Sequence, residues 1–188
     1  MNQTHIMIDL ETMDTKPTAA IVAIGAVAFD PTSGTVDVNS AFYRTVELQS
    51  CIDHGLTVSG SAVRWWLRQS QDARQSILTG QARIHTALNE FSRWVIAQCD
   101  GDTDRAVVWG NGSDFDNVIL TNAYRVLNFS ERPWCPFNDR CYRTLKNLRR
   151  DIKLERTGTH HNALDDAISQ AEHAVRLLNA IKQEAGHK

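Results

Sequence analysis

The apolar positions fall into two periods. His5 to Glu11 is a short apolar run that closes on alternating acids, and it predicts a first strand over residues 5–11. Side chains alternate faces along a strand, so Asp9 and Glu11 point the same way. Asp14-Thr15-Lys16-Pro17 is a turn cluster. Ala20 to Phe29 is almost continuously apolar and predicts a central strand. Pro31-Thr32-Ser33-Gly34 carries turn chemistry, and Val36 to Val46 continues as a third strand. So tight a connection implies a hairpin, and the chain opens as a three-stranded meander.

The period then lengthens. Ser59 to Ser70 predicts a helix with Val63, Trp66 and Leu67 on one face, and Gln71 to Leu78 a second short one. Ile84, Leu88, Phe91, Val95 and Cys99 recur at helical spacing. Ala106 to Trp109 predicts a short buried strand, and Gly110-Asn111-Gly112 turns it into a helix bearing Phe115, Val118, Ile119 and Val126. Asp139 to Ile152 predicts a helix striped by Tyr142, Leu145, Leu148 and Ile152. The last helix spans about Asn162 to Ile181, with Leu164, Ala167, Ile168, Ala171, Val175 and Leu178 inward. Strands followed by interleaved helices and strands predict an α/β layer fold with a mixed sheet.

A chain of 188 residues fits one domain, 1–188, with room for a core. The net charge of −2 supplies no global basic field, and a site built of acids lowers that count by itself. Cys51, Cys99, Cys135 and Cys141 form no zinc-type pairing and read as reduced thiols of a cytoplasmic protein. No charged leader and no run of membrane-spanning length is expected.

Two carboxylates at the end of an apolar strand are costly unless compensated, and a hard divalent cation prefers oxygen ligands. Two solvated acids at a strand end are the plainer alternative. Ser113-Asp114-Phe115-Asp116 also has two readings: Ser113 caps a helix with Asp116 at its third position, or Asp116 converges with Asp9 and Glu11. At the last helix Asn162 can cap and Asp165 falls three residues later. Capping thus accounts for Asp165 and leaves Asp166, about 100° round the helix, free to face something else. His161 precedes that cap and can fold toward the same place.

In order and spacing, Asp9-Leu10-Glu11-Thr12, Asn111 to Asp116, and His161-Asn162-Ala163-Leu164-Asp165-Asp166-Ala167 resemble the DnaQ-like 3′–5′ exonucleases of the DEDDh type. Trp65-Trp66-Leu67-Arg68-Gln69, Trp109-Gly110-Asn111-Gly112 and Tyr142-Arg143-Thr144-Leu145 look closest to the phage DexA-like and bacterial exoribonuclease-like branch. One residue more than the common Asn-x-x-Phe-Asp pattern separates Asn111 from Phe115. Asp116 is then the motif acid, with Asp114 the alternative.

The resemblance implies an RNase H-like fold, a five-stranded mixed sheet flanked by helices. It implies that Asp9, Glu11, Asp116 and Asp166 hold two ions, Mg²⁺ or Mn²⁺, and that His161 is the general base. The substrate would be the 3′ end of single-stranded DNA or RNA, released as 5′-mononucleotides. Substrate contacts would fall to Thr12, Met13, Trp65, Trp66, Gln69, Asn111 and Arg143. The adjacent tryptophans cannot share a helix face, so one belongs to the core and the other either stacks on a base or packs as well. Arg140, Arg143, Lys146, Arg149, Arg150, Lys153 and Arg156 are either a solvated face or a phosphate track. Related exonucleases are often homodimers. Two rivals stand beside this reading: a phosphatase of the haloacid dehalogenase type, whose second acid would be Asp rather than Glu11, and a non-catalytic nucleic-acid-binding domain.

Overall fold

A computed structural model describes residues 3–129 and 131–186. Five strands, β1 (Thr4–Thr12), β2 (Ile21–Asp30), β3 (Thr35–Thr45), β4 (Ala106–Gly110) and β5 (Asp139–Cys141), form one sheet in the order β3-β2-β1-β4-β5. β2 and β3 run antiparallel as the expected meander, whereas β4 and β5 lie parallel to β1 and to each other in succession. The helices are α1 (Leu48–Asp53), α2 (Gly60–Trp66), α3 (Gln71–Ser76), α4 (Ile84–Gln98), α5 (Asp116–Val126), α6 (Tyr142–Leu148) and α7 (Ala163–Gly186). The architecture is the RNase H-like, five-stranded mixed sheet flanked by helices. Among the described residues no helix is long and apolar enough to cross a membrane.

Alternation along β1 divides the core. Ile6, Ile8 and Leu10 face one layer, with Leu88 and Phe91 of α4 and Ile119, Leu120 and Tyr124 of α5. Met7 faces the other, with Tyr142 and Leu145 of α6 and Ala167, Ala171, Ala174 and Leu177 of α7. Asp9 and Glu11 continue the Met7 row, so both acids emerge on the α7 side of the sheet. Alanines along the buried stripe of α7 let its backbone lie close to that sheet. Gly25, paired with Asp9 across β1 and β2, permits the closest approach: a Cβ there would fall 2.2 Å from the Ala163 carbonyl carbon.

Five elements differ from expectation. Asp139–Cys141 is a strand, because pairing with Val108 to Gly110 outweighs the helical pattern, and α6 ends at Leu148, which is exposed. α2 is shorter than expected, capped by Ser59, and of the expected apolar face Val63, Trp66 and Leu67 only Trp66 is buried. α1 was not anticipated. The inward stripe of α7 holds Gln170, His173 and Leu177 besides its alanines, while Leu164, Ile168 and Leu178 are only half-buried.

Candidate active site

At the carboxyl end of β1 a cleft of about 550 Å³ opens between α2, α7 and the turn after β4. Asp9, Glu11 and Asp166 line it, and each offers a carboxylate oxygen within 4.8 Å of the others. The pairing of β1 with β2 slips between Glu11 and Thr12, where the strand bends into the cleft wall. Asn162 caps α7, its Oδ1 accepting from Leu164 N–H at 3.0 Å and Asp165 N–H at 3.3 Å. Asp165 turns away to accept from Thr159 N–H at 2.7 Å. Asp166 points into the cleft, as the capping argument leaves it free to do.

Asp116 takes a different position. It opens α5 as its first residue, so Ser113 is not the cap, and both Ser113 and Asp114 are exposed in the turn. Its carboxylate is 1% exposed and accepts from Leu10 N–H at 3.1 Å and Asn111 N–H at 2.7 Å. It therefore ties the acid strand to the β4 turn from beneath the cleft.

Burial, then the charges of Asp116, Glu11 and Asp166, push the Asp9 carboxyl well above the usual range. Burial, then Asp166 and Asp116, do the same to Glu11. Burial raises Asp116 to about 6 against the pull of its N–H donors. Two donors already lean on the cluster: Arg156 pairs with Asp166 through Nη1 and Oδ1, and the Gln170 amide Nε2 donates to Asp9 Oδ1 at 2.7 Å. Only Arg156 of these carries charge, so three inward acids share one guanidinium. That all-oxygen donor set, converging and under-neutralised, fits Mg²⁺ or Mn²⁺.

His161 lies at the cleft mouth with a left-handed backbone, φ 66°, which its N–H bond to Asp166 Oδ2 at 3.1 Å helps to hold. Its ring stacks on His160 at 3.7 Å and meets the edge of Trp65 at 4.7 Å. Burial, then the neighbouring His160, lowers its pKa. The tryptophan pair divides: Trp66 is buried and its Nε1 donates to the Thr12 carbonyl at 3.0 Å, whereas Trp65 is 41% exposed on the cleft wall.

Thr12, Asn111 and Arg143 also line the cleft, and Arg143 Nη2 donates to the Asn111 carbonyl at 2.6 Å. Met13 packs against the core beside the cleft, and Gln69 Nε2 bonds the Trp65 carbonyl at 2.9 Å, away from the lining. The lining includes residues that the sequence did not place beside the acids. Asp14, accepting from Thr57 Oγ1 at 2.7 Å, His160 and Arg156 come from turns whose course no periodicity reveals. Gln170 had a signal: four residues after Asp166, it shares that helix face.

Residues 4–178 match the Rv2179c-like 3′–5′ exoribonuclease domain. The chain belongs to that family. It is also 29% identical over 126 residues to the exodeoxyribonuclease of Enterobacteria phage T4, covering 63% of this chain and 55% of that protein. The chain thus spans about half the length of this curated relative. Among solved structures, the nuclease domain of 3′hExo, a DEDDh family member bound to rAMP, superposes with a TM-score of 0.62 at 17% identity, over 95% of this chain and 93% of that one. Exonuclease X in complex with 5′-overhanging duplex DNA gives 0.55 at 17% identity, over 94% and 92%. Pop2p of S. pombe, described in a Mg²⁺- and Mn²⁺-bound form, gives 0.58 at 13% identity, over 96% and 83%. Within the Rv2179c-like family frame, Asp9, Glu11 and Asp166 occupy one cleft with His161 at its mouth.

Proposed function

We propose that this Rv2179c-like domain is a 3′–5′ exonuclease that needs divalent cations and removes 5′-mononucleotides from single-stranded DNA or RNA. The observation that carries the reading is the convergence of Asp9, Glu11 and Asp166 within 4.8 Å beside His161 in an open cleft. The three acids would hold one Mg²⁺ or Mn²⁺ between them, and Asp9 would help to hold a second that Asp116, beneath the cleft, would support through water. Such cations, when bound, polarise the scissile phosphate and ease deprotonation of the attacking water.

The remaining work belongs to the chain. His161, its pKa lowered by burial and by His160, is neutral at neutral pH and has a ring nitrogen to accept the water proton. Trp65 presents an exposed indole on which the terminal base can stack. Trp66 pins the Thr12 carbonyl from the core side and fixes the strand end beside the terminal ribose. Arg143, held at Asn111, supplies a guanidinium for a phosphate oxygen.

The test uses 5′-end-labelled single strands of DNA and RNA of one sequence, with Mg²⁺, Mn²⁺ or chelator. A ladder of shortened, still-labelled products is expected, lost with chelator and reduced at least about a hundredfold in Asp9→Ala and Asp166→Ala. The faster substrate identifies the preferred sugar. Binding without degradation in every condition would instead make this a recognition domain, and full activity in either variant would remove the metal assignment.

A further inference from the structure

The basic residues between Arg140 and Arg156 separate into two sets. Arg149 pairs with Asp151 at 2.7 Å and with Glu184 at 3.0 Å, and nearby Arg176 pairs with Glu155 at 2.8 Å. These charges are neutralised within the fold. Among the described residues no ion pair joins Lys146, Arg150 or Lys153 to an acid. Instead they line a second cavity, of about 240 Å³, with Asn147, Ile152 and Leu154. Its remaining lining residue is the buried His173, whose nitrogens face the Tyr142 hydroxyl at 2.6 Å and the Ile152 carbonyl at 3.0 Å. The cationic groups of the cavity thus meet no anion there.

Helix α6 joins this cavity to the acid cleft. Arg143 lines the cleft, and Lys146, three residues on and on the same helix face, lines the second cavity. Arg143, Lys146, Arg150 and Lys153 therefore form one cationic path that starts beside the acids, where Arg156 is already paired with Asp166. Gathering them has a cost: burial, then Arg143 and Arg156, lowers the pKa of the Lys146 ammonium. An extended polyanion matches such a path, because each phosphate meets a cation in turn.

We propose that Lys146, Arg150 and Lys153 bind backbone phosphates of the substrate strand upstream of the nucleotide seated in the acid cleft. This rests on the exonuclease reading, which puts the 3′ end in the cleft and requires the rest of the strand to leave it. The path defines substrate length: a strand too short to reach the second cavity gains nothing from it.

The test compares the wild type with Lys146→Gln/Arg150→Gln/Lys153→Gln on three substrates: the p-nitrophenyl ester of thymidine 5′-monophosphate, a dinucleotide and a dodecanucleotide. In the triple variant kcat/KM for the dodecanucleotide should fall about tenfold or more at moderate salt. Its logarithmic salt dependence should weaken by about 2, three contacts at about 0.7 each. The ester and the dinucleotide should change less than about twofold. Circular dichroism confirms folding; if the triple variant does not fold, Arg150→Gln/Lys153→Gln carries the test, with a slope change of about 1.4. Unchanged dodecanucleotide kinetics, or an equal loss on all three substrates, would overturn the path. A wild type that hydrolyses none of them with metal would overturn the exonuclease reading itself.

Discussion

Asp116 differs from the other acids because both its oxygens are already committed to backbone donors, Leu10 N–H and Asn111 N–H. An Asn in its place must turn an amide NH₂ toward one of those N–H groups. Asp116→Asn should therefore cost about 1–3 kcal/mol, or about 2–4 °C in Tm for each kcal/mol, when unfolding is followed in chelator. Asp9→Asn, which keeps an oxygen for Gln170 Nε2, should cost less; an equal loss would mean that Asp116 has no special structural share. Sequence alone left Asp116 between a capping acid and an acid converging with Asp9 and Glu11, because both use the same residue at the same junction; its tie to Leu10 and Asn111 was in neither reading. Asp9 and Glu11 were easier to read, since strand alternation fixes their common side. Asp166 was readable by subtraction, once Asn162 and Asp165 were assigned to the start of α7. Arg156 and His160 were not, because side-chain direction in an irregular turn follows from the packing around it.

Among the elements, α7 completes the acid cluster with Asp166 and holds Asp9 through Gln170, and its position depends on Gly25. A methyl group at residue 25 would sit 2.2 Å from backbone atoms of Ala163, and backbone cannot swing aside as a flexible side chain can. Gly25→Ala should push the start of α7 off the sheet and cost about 1–3 kcal/mol or more. Because Asp166 moves with that end, Mn²⁺ affinity measured by calorimetry should fall as well. Unchanged affinity would show that the acids tolerate the displacement. The meander and the long helices were legible because their hydrophobic periods run for many residues. β5 was hidden: only three residues long, it becomes a strand through β4, and its pattern continues into α6 without a break. The shortness of α2 was hidden for a similar reason, since Leu67 looks apolar in sequence yet is 68% exposed.

At the level of the whole molecule, the acid cluster sets a pH dependence of stability. Asp9, Glu11 and Asp116 have raised pKa values in the fold, so between their unfolded values and those raised values the folded chain binds more protons than the unfolded one. Stability from these groups is therefore lost as pH rises through that window. His5 and His173 act oppositely: burial lowers their pKa, so their contribution is lost as pH falls below about 6.5. Comparison with Asp9→Asn isolates the acids, because the substitution keeps an oxygen for Gln170 Nε2 and removes one inward charge. In chelator at about pH 7.5 the variant should melt above the wild type, and the gap should close toward about pH 5. Mn²⁺ at about pH 7.5 should raise the wild-type Tm more than that of the variant. A gap that widens on acidification would contradict the repulsion among these carboxylates.

The hydrogen bond from Gln170 to Asp9 joins residues 161 positions apart. The meander, by contrast, pairs β1, β2 and β3 through short turns. Contacts between distant residues must overcome a larger loop-closure entropy, so near-neighbour pairings are favoured early in folding and distant ones late. The expected order of folding therefore forms the strands that bear Asp9 and Glu11 before Asp166 and His161 arrive with the last helix. On the proposed exonuclease reading, a partly folded chain would hold half of the acid centre, and cleavage would wait for the final docking step.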